Sequence, residues 1–178
     1  MAYLAQNLRT AIRHLSRHDH GELAALDHKH RDLHARWMPG PPITTRESFE
    51  EYLSRFDRPE NEGFLVCAVD GGAIVGRINV NNIVRGSHQS AMVGYASYSP
   101  GQGHLSAGLR LLVAHAFGTM GLHRLEANIQ PHNLASLRLA RSAGFAKEGL
   151  SPRFQWIDGA WRDHERWAVT SETALPGR

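Results

Sequence analysis

Asn133 and Ser136 stand three residues apart where one helical pattern begins, and Gly101, Gln102, Gly103 and His104 stand where another begins. Each group follows a strand-like run, "AMVGYASY" (91–98) before the glycines and "RLEANI" (124–129) before Pro131-His132-Asn133. The first turn of a helix carries N–H groups without intrahelical partners and the positive end of the helix dipole. Where glycine removes the side chain, an anion such as phosphate can come up against that backbone. A Gly-x-Gly pair alone is weak evidence and is better explained by a tight turn. Asn133 can likewise do no more than cap its own helix, and Ser136 no more than bond locally. Two such helix starts after consecutive strands can open on the same side of one sheet. One can then hold a phosphate while polar side chains at the other meet the rest of the same ligand.

The elements that must position these residues are legible as patterns. "RTAIRHL" reads as a first strand, and the stretch 19–38 places Leu23, Leu26, Leu33 and Trp37 at roughly helical spacing. "PGPPI" (39–43) forbids helix. Thr44 followed three residues later by Glu47 predicts a capping box ahead of a second helix that packs Phe49, Leu53 and Phe56. "FLVCAV" and "AIVGRINV" predict two strands joined by the tight turn Asp70-Gly71-Gly72. After "RGSHQS" and "AMVGYASY", Leu105, Leu109, Leu112, Val113, Ala116, Phe117 and Met120 trace one face of a helix.

A chain of 178 residues with 42% hydrophobic content can bury one good core, and no repeat or low-complexity linker divides it. A single domain over 8–170, with a tail at 171–178, is the expectation. The net charge of +3 suits an anionic ligand, but no basic run marks a nucleic-acid footprint. Cys67 is the one cysteine, inside "FLVCAV", and reads as a buried core thiol. The N-terminal segment has no long apolar run, so neither a signal peptide nor a membrane span is indicated, and a cytoplasmic location is expected.

Three stretches, "GYASYSPGQGHLSAGLRLLVAHAF", "GLHRLEANIQPHNLASLRLARSAGF" and "FQWIDGAWRDHERWAV", resemble successive segments of the GNAT acetyltransferases. The order Glu-Ala-x-x-x-Pro-x-Asn-x-x-Ser followed by Gly-Phe, and the final "DGAWRDH", resemble the Rim-type branch, named for ribosomal-protein N-terminal acetylation. The resemblance runs from about Arg9 to Val169. It implies an α/β fold with a mixed, mostly antiparallel sheet, splayed between "AMVGYASY" and "RLEANI" and flanked by helices. It further implies that the pantetheine arm of acetyl-CoA lies in the gap, that Gly101 to His104 cradle its pyrophosphate, and that Asn133 and Ser136 contact the arm. Two features depart from the family: Tyr98 stands where a Gln or Arg is common, and the loop between Pro100 and Gly101 is shortened.

An amine attacking a thioester must lose a proton, the developing oxyanion needs donors, and the departing thiolate benefits from an acid. Backbone N–H groups of Ala96, Ser97 and Tyr98 are the expected oxyanion donors. Relatives often carry a carboxylate base on that strand, but "AMVGYASY" has none. Glu126, which shares a strand face with Asn128 and Gln130, is the nearest candidate base, and a salt bridge to Arg124 is its structural alternative. Ser136 is the candidate acid, while Asp163 and His164 are expected to line the acceptor cleft or link strands. Among the twelve histidines, His30 and His34 lie one helical turn apart, but no cysteine or His-Glu-x-x-His pattern completes a zinc site, so no metal is expected. The resulting expectation is an acetyl-CoA-dependent N-acetyltransferase, monomer or homodimer, acting on a protein N-terminal amine. A small amine (a polyamine, amino acid or antibiotic) as acceptor, or a non-catalytic CoA-binding regulatory module, are the alternatives.

Overall fold

Leu125, Ala127 and Ile129 are buried while Arg124, Glu126 and Asn128 between them are half-buried, the two-residue period of a strand with one face on a core. In a computed structural model that describes residues 2–174, this strand sits inside a sheet of eight. The end of the expected tail, from 175 onward, lies outside the described residues.

The strands are β1 (Ala5–Gln6), β2 (Thr10–His14), β3 (Glu62–Ala68), β4 (Ile74–Val84), β5 (Ser90–Ser97), β6 (Arg124–Ile129), β7 (Ala146–Ile157) and β8 (Ala160–Thr170). The helices are α1 (His20–Lys29), α2 (Arg31–Ala35), α3 (Arg46–Ser54), α4 (His104–Gly118), α5 (Leu134–Ser142) and α6 (Ser171–Ala174). The sheet order is β1-β2-β3-β4-β5-β6-β8-β7, antiparallel except where β5 meets β6. That parallel contact follows from the connection: the chain leaves β5, runs through α4, and returns to lay β6 beside it.

One face of the sheet is covered by α4 and α5, whose Leu105, Leu109, Leu112, Ala116 and Ala140 join Phe64, Val66, Ile78, Val93, Leu125 and Trp167 in the main core. On the opposite face, Leu23 of α1, Phe49 of α3 and Ile43 pack on Leu65, Cys67, Ile74 and Tyr98. Cys67 is fully buried, and burial pushes its thiol pKa up. Beneath this second layer, Arg13 of β2 makes two hydrogen bonds to buried Asp19, at 2.9 and 2.7 Å, fixing the entry to α1.

Two local expectations shift. The first helical stretch breaks at His30 (φ −106°, ψ 12°), whose Nδ1 bonds the Leu26 carbonyl, so α1 and α2 are separate. The cap of α3 is Thr45 with Ser48, one residue later than the Thr44–Glu47 box. Thr45 Oγ1 accepts the Ser48 N–H at 3.1 Å and Ser48 Oγ accepts the Thr45 N–H at 3.0 Å. Glu47 falls instead in the first turn, where its charge meets the helix dipole.

Candidate functional site

β5 and β6 are paired only through Ser90–Arg124, Ala91–Leu125 and Met92–Glu126; beyond these the strands part. Along an antiparallel strand, successive backbone N–H and C=O groups point alternately to the two sides. The Tyr98 N–H is bonded to the Val75 carbonyl of β4 at 2.9 Å, and the β4–β5 register is regular from Gly76–Ser97 to Asn81–Met92. The backbones of Tyr98, Ala96 and Gly94 therefore face β4, and those of Ser97, Tyr95 and Val93 face the gap. Of the three backbones expected to serve as oxyanion donors, those of Ala96 and Tyr98 are therefore engaged within the sheet, and that of Ser97 faces the gap together with that of Tyr95. The Ser97 carbonyl accepts from His34 Nε2 at 3.0 Å, which ties α2 to the rim of the gap. Burial lowers the His34 pKa, so this imidazole is neutral near pH 7.

At the end of β5 the chain turns through Gly101 (φ 83°) and Gly103 (φ 81°), and Gly103 is the N-cap of α4. A Cβ at either glycine would meet nothing within 4 Å, so the outer surface of the loop is open to an approaching group. The His104 side chain is buried, with Nδ1 2.8 Å from Thr10 Oγ1 on β2, so His104 would offer a ligand its backbone rather than its imidazole, while the Gln102 N–H already meets the Ser99 carbonyl at 3.4 Å. The position where relatives carry Gln or Arg is occupied by Tyr98, whose ring is buried in the opposite layer and whose hydroxyl donates to Asp27 Oδ1 at 2.6 Å. It is a core residue here, its pKa pushed up by burial.

Asn133 caps α5 by accepting the Ser136 N–H at 3.1 Å. This turns the Ser136 hydroxyl toward β5, where it lies 2.8 Å from the Tyr95 hydroxyl across the gap. Burial pushes the Tyr95 pKa up to about 12, so the phenol keeps its proton. No sequence pattern announces this pair, because its members come from different elements.

Tyr95, Asn133 and Ser136 border a cavity of about 570 Å³. Its floor is the polar row Arg77, Asn79 and Asn81 of β4 with Asn128 and Gln130 beyond the gap; its walls are the 37–41 loop, α3 with Glu51 and Tyr52, Arg55 just past the end of α3, and Phe154 and His164 of the β7–β8 hairpin. His164 is fully buried, its Nδ1 donates to the Arg162 carbonyl at 3.0 Å, and burial lowers its pKa. The imidazole is thus neutral near pH 7 with its lone pair on Nε2. Glu126 takes up the salt bridge named as its alternative: its carboxylate accepts from Arg124 Nε at 2.7 Å, and it is not among the cavity residues. Arg124 also pairs with Glu148. Asp163 accepts the Arg153 N–H at 2.7 Å and serves the hairpin.

A smaller cavity of about 240 Å³ lies beside the first and shares Arg77 and residues 38–41 with it. Among the described residues, no group of three or more His, Cys, Asp or Glu is placed to hold a metal ion, and no helix is long and apolar enough to cross a membrane.

The model of the acetyltransferase (GNAT) domain matches residues 9–146. The chain is 34% identical over 126 residues to the probable N-acetyltransferase YjcK of Bacillus subtilis, covering 70% of each chain. It is 35% identical over 129 residues to the [ribosomal protein uS5]-alanine N-acetyltransferase of Escherichia coli, covering 71% of this chain and 61% of that enzyme. The fold superposes on Mycobacterium smegmatis RimJ in complex with CoA-disulfide with a TM-score of 0.85 at 27% identity, covering 94% of this chain and 84% of the other.

Proposed function

The chain belongs to the GNAT family of acetyltransferases and is an acetyl-CoA-dependent N-acetyltransferase, and we propose that its acceptor is the α-amine of a protein or peptide N-terminus, attacked directly in a ternary complex. The lining of the larger cavity carries this reading. It presents the side-chain amides of Asn79, Asn81, Asn128, Gln130 and Gln155 and, among the described residues, a single carboxylate, Glu51, beside Arg55 and Arg77. A polyamine brings several positive charges and would meet more guanidinium than carboxylate. A peptide terminus brings one charge and a row of C=O and N–H groups, which amide side chains can match as both donors and acceptors. The relative from Escherichia coli, which acts on an alanine of ribosomal protein uS5, supports the same class.

Acetyl-CoA supplies an activated acetyl thioester. The residues of this chain hold it and move protons around it. First-turn N–H groups of α4, reached across Gly101–His104, hold the pyrophosphate, and the open left-handed glycines fit that use. Backbone groups of Tyr95 and Ser97 on the gap edge of β5 line up the arm and place an N–H donor at the acyl oxygen. The Ser136 hydroxyl, 2.8 Å from the Tyr95 hydroxyl, gives its proton to the departing thiolate and recovers one from solvent as CoA leaves. His164, kept neutral by burial, takes the proton from the incoming amine.

The test is release of free CoA thiol with a panel of acceptors: peptides with free N-termini, spermidine, and free amino acids. Peptides should give a kcat/KM at least about tenfold above the other amines, a difference of roughly 1.4 kcal/mol. A preference for spermidine or an amino acid would overturn the acceptor assignment.

A further inference from the structure

Arg77 faces both cavities, yet nothing in the acetyl transfer described above uses it. Its side chain is 8% exposed. A guanidinium has five N–H donors in a rigid fork. The hydrogen bonds of Arg77 account for one of its nitrogens, Nη1 to Asp27 Oδ2 at 2.9 Å. Its Nε is buried without a partner, and Nη2 makes no hydrogen bond among the described residues. Asp27 cannot supply the missing oxygen, since it also accepts the Ile43 N–H at 2.9 Å and the Tyr98 hydroxyl at 2.6 Å. The Tyr52 ring lies 5.2 Å from Arg77 Cζ, and the Tyr52 hydroxyl is itself held by Asn79 at 2.5 Å. The guanidinium is thus gripped through Nη1 and one face, while the edge formed by Nε and Nη2 lacks an acceptor. That edge matches a carbonyl or carboxylate oxygen.

We infer that Arg77 is a specificity-determining residue that binds the carbonyl oxygen of the acceptor's first residue. The inference rests on the peptide-acceptor reading and sharpens it. An α-amine of a peptide carries a carbonyl one carbon away, where a polyamine or simple alkylamine has only methylene. The right acceptor gives the unpaired edge its oxygen, and the wrong one leaves a buried donor unpaired, which is how a polar site rejects an analogue that lacks the group it was built to bond.

The experiment compares a peptide acceptor with an isostere whose first peptide bond is a trans alkene, in the wild-type chain and in Arg77→Met and Arg77→Lys. In the wild type the peptide should exceed the alkene isostere at least tenfold in kcat/KM. Arg77→Met should raise KM for the peptide and collapse that ratio, while affinity for CoA, measured by calorimetry, is kept. Arg77→Lys, which retains the charge but loses the fork, should recover only part of the ratio. Equal use of both acceptors by the wild type would overturn the inference whether or not the variants fold. So would variants that lower both acceptors in parallel with thermal stability, because Arg77 would then act only as a brace for Asp27. If no peptide is acetylated while another amine is, the acceptor reading itself fails, an outcome distinct from a peptide acetylated without regard to its carbonyl.

Discussion

At the scale of single residues, the proposed proton path turns on His164 and Ser136 rather than on an acidic strand residue. Glu126 is held by Arg124 away from the cavity residues, whereas His164 borders the cavity with its Nδ1 occupied and its Nε2 carrying the lone pair. His164→Gln should lower kcat about a hundredfold and remove the acidic limb of the pH–rate profile. Because burial lowers the His164 pKa, that limb in the wild type should fall below the ordinary histidine value of 6.5. A hundredfold loss in Glu126→Gln, with His164→Gln near wild type, would instead return the role to Glu126. In the loop proposed to hold the pyrophosphate, Gly103 adopts φ 81°, a backbone that a β-branched residue resists. Gly103→Val should reshape the loop and weaken acetyl-CoA binding about tenfold, or about 1.4 kcal/mol, by calorimetry. Unchanged affinity in a folded variant would remove this loop from the cofactor site.

At the scale of elements, α4 fixes the glycine loop to the sheet, and its distance from the sheet depends on Gly108. A Cβ there would lie 2.6 Å from Val66 Cγ2 in the middle of β3. Alanine is the better helix former by about 1 kcal/mol. The clash is with a fully buried core side chain, however, and overpacking of that kind costs about 1–3 kcal/mol. Gly108→Ala should therefore destabilise the chain in urea unfolding. Gly118→Ala, at the far end of the same helix, meets nothing within 4 Å and should leave stability unchanged or raised. Equal midpoints for the two variants would show that β3 and α4 can move apart without loss.

At the scale of the whole molecule, the histidines make stability depend on pH. His34, His115 and His164 all have pKa values lowered, chiefly by burial, from the ordinary 6.5. Below that value the unfolded chain takes up protons that the folded chain refuses, so the unfolded state gains. The contribution is fully present above the unfolded-state value and is lost as pH falls toward the depressed folded values. The thermal midpoint should thus decline on acidification from about pH 7 to about pH 5, before most carboxylates titrate. A midpoint that held or rose over this range would contradict the burial of these three side chains.

What the amino-acid sequence determined by itself was local. A strand-like run marked β6, helical spacing marked α4, Asn133 announced the cap of α5, and Gly101 and Gly103 announced a turn. Each depends on a few adjacent residues, so no tertiary partner was required to read it. Even there a one-residue offset hid the Thr45–Ser48 cap of α3, because two threonines stand side by side and only the geometry selects between them. The tertiary structure decided which polar groups are available. Tyr95 and Ser136 lie 41 residues apart, and Arg77 and Asp27 lie 50 apart. Whether the N–H of Ala96, Ser97 or Tyr98 faces the gap depends on the register against β4, since backbone groups alternate sides with every residue. The Arg124–Glu126 ion pair is local to β6 and was open to a sequence reading, whereas His164 was carried into the cavity by the pairing of β8 with β6 and β7. Strand propensity and motif spacing carry no information on such pairings, which the packing of the whole sheet selects.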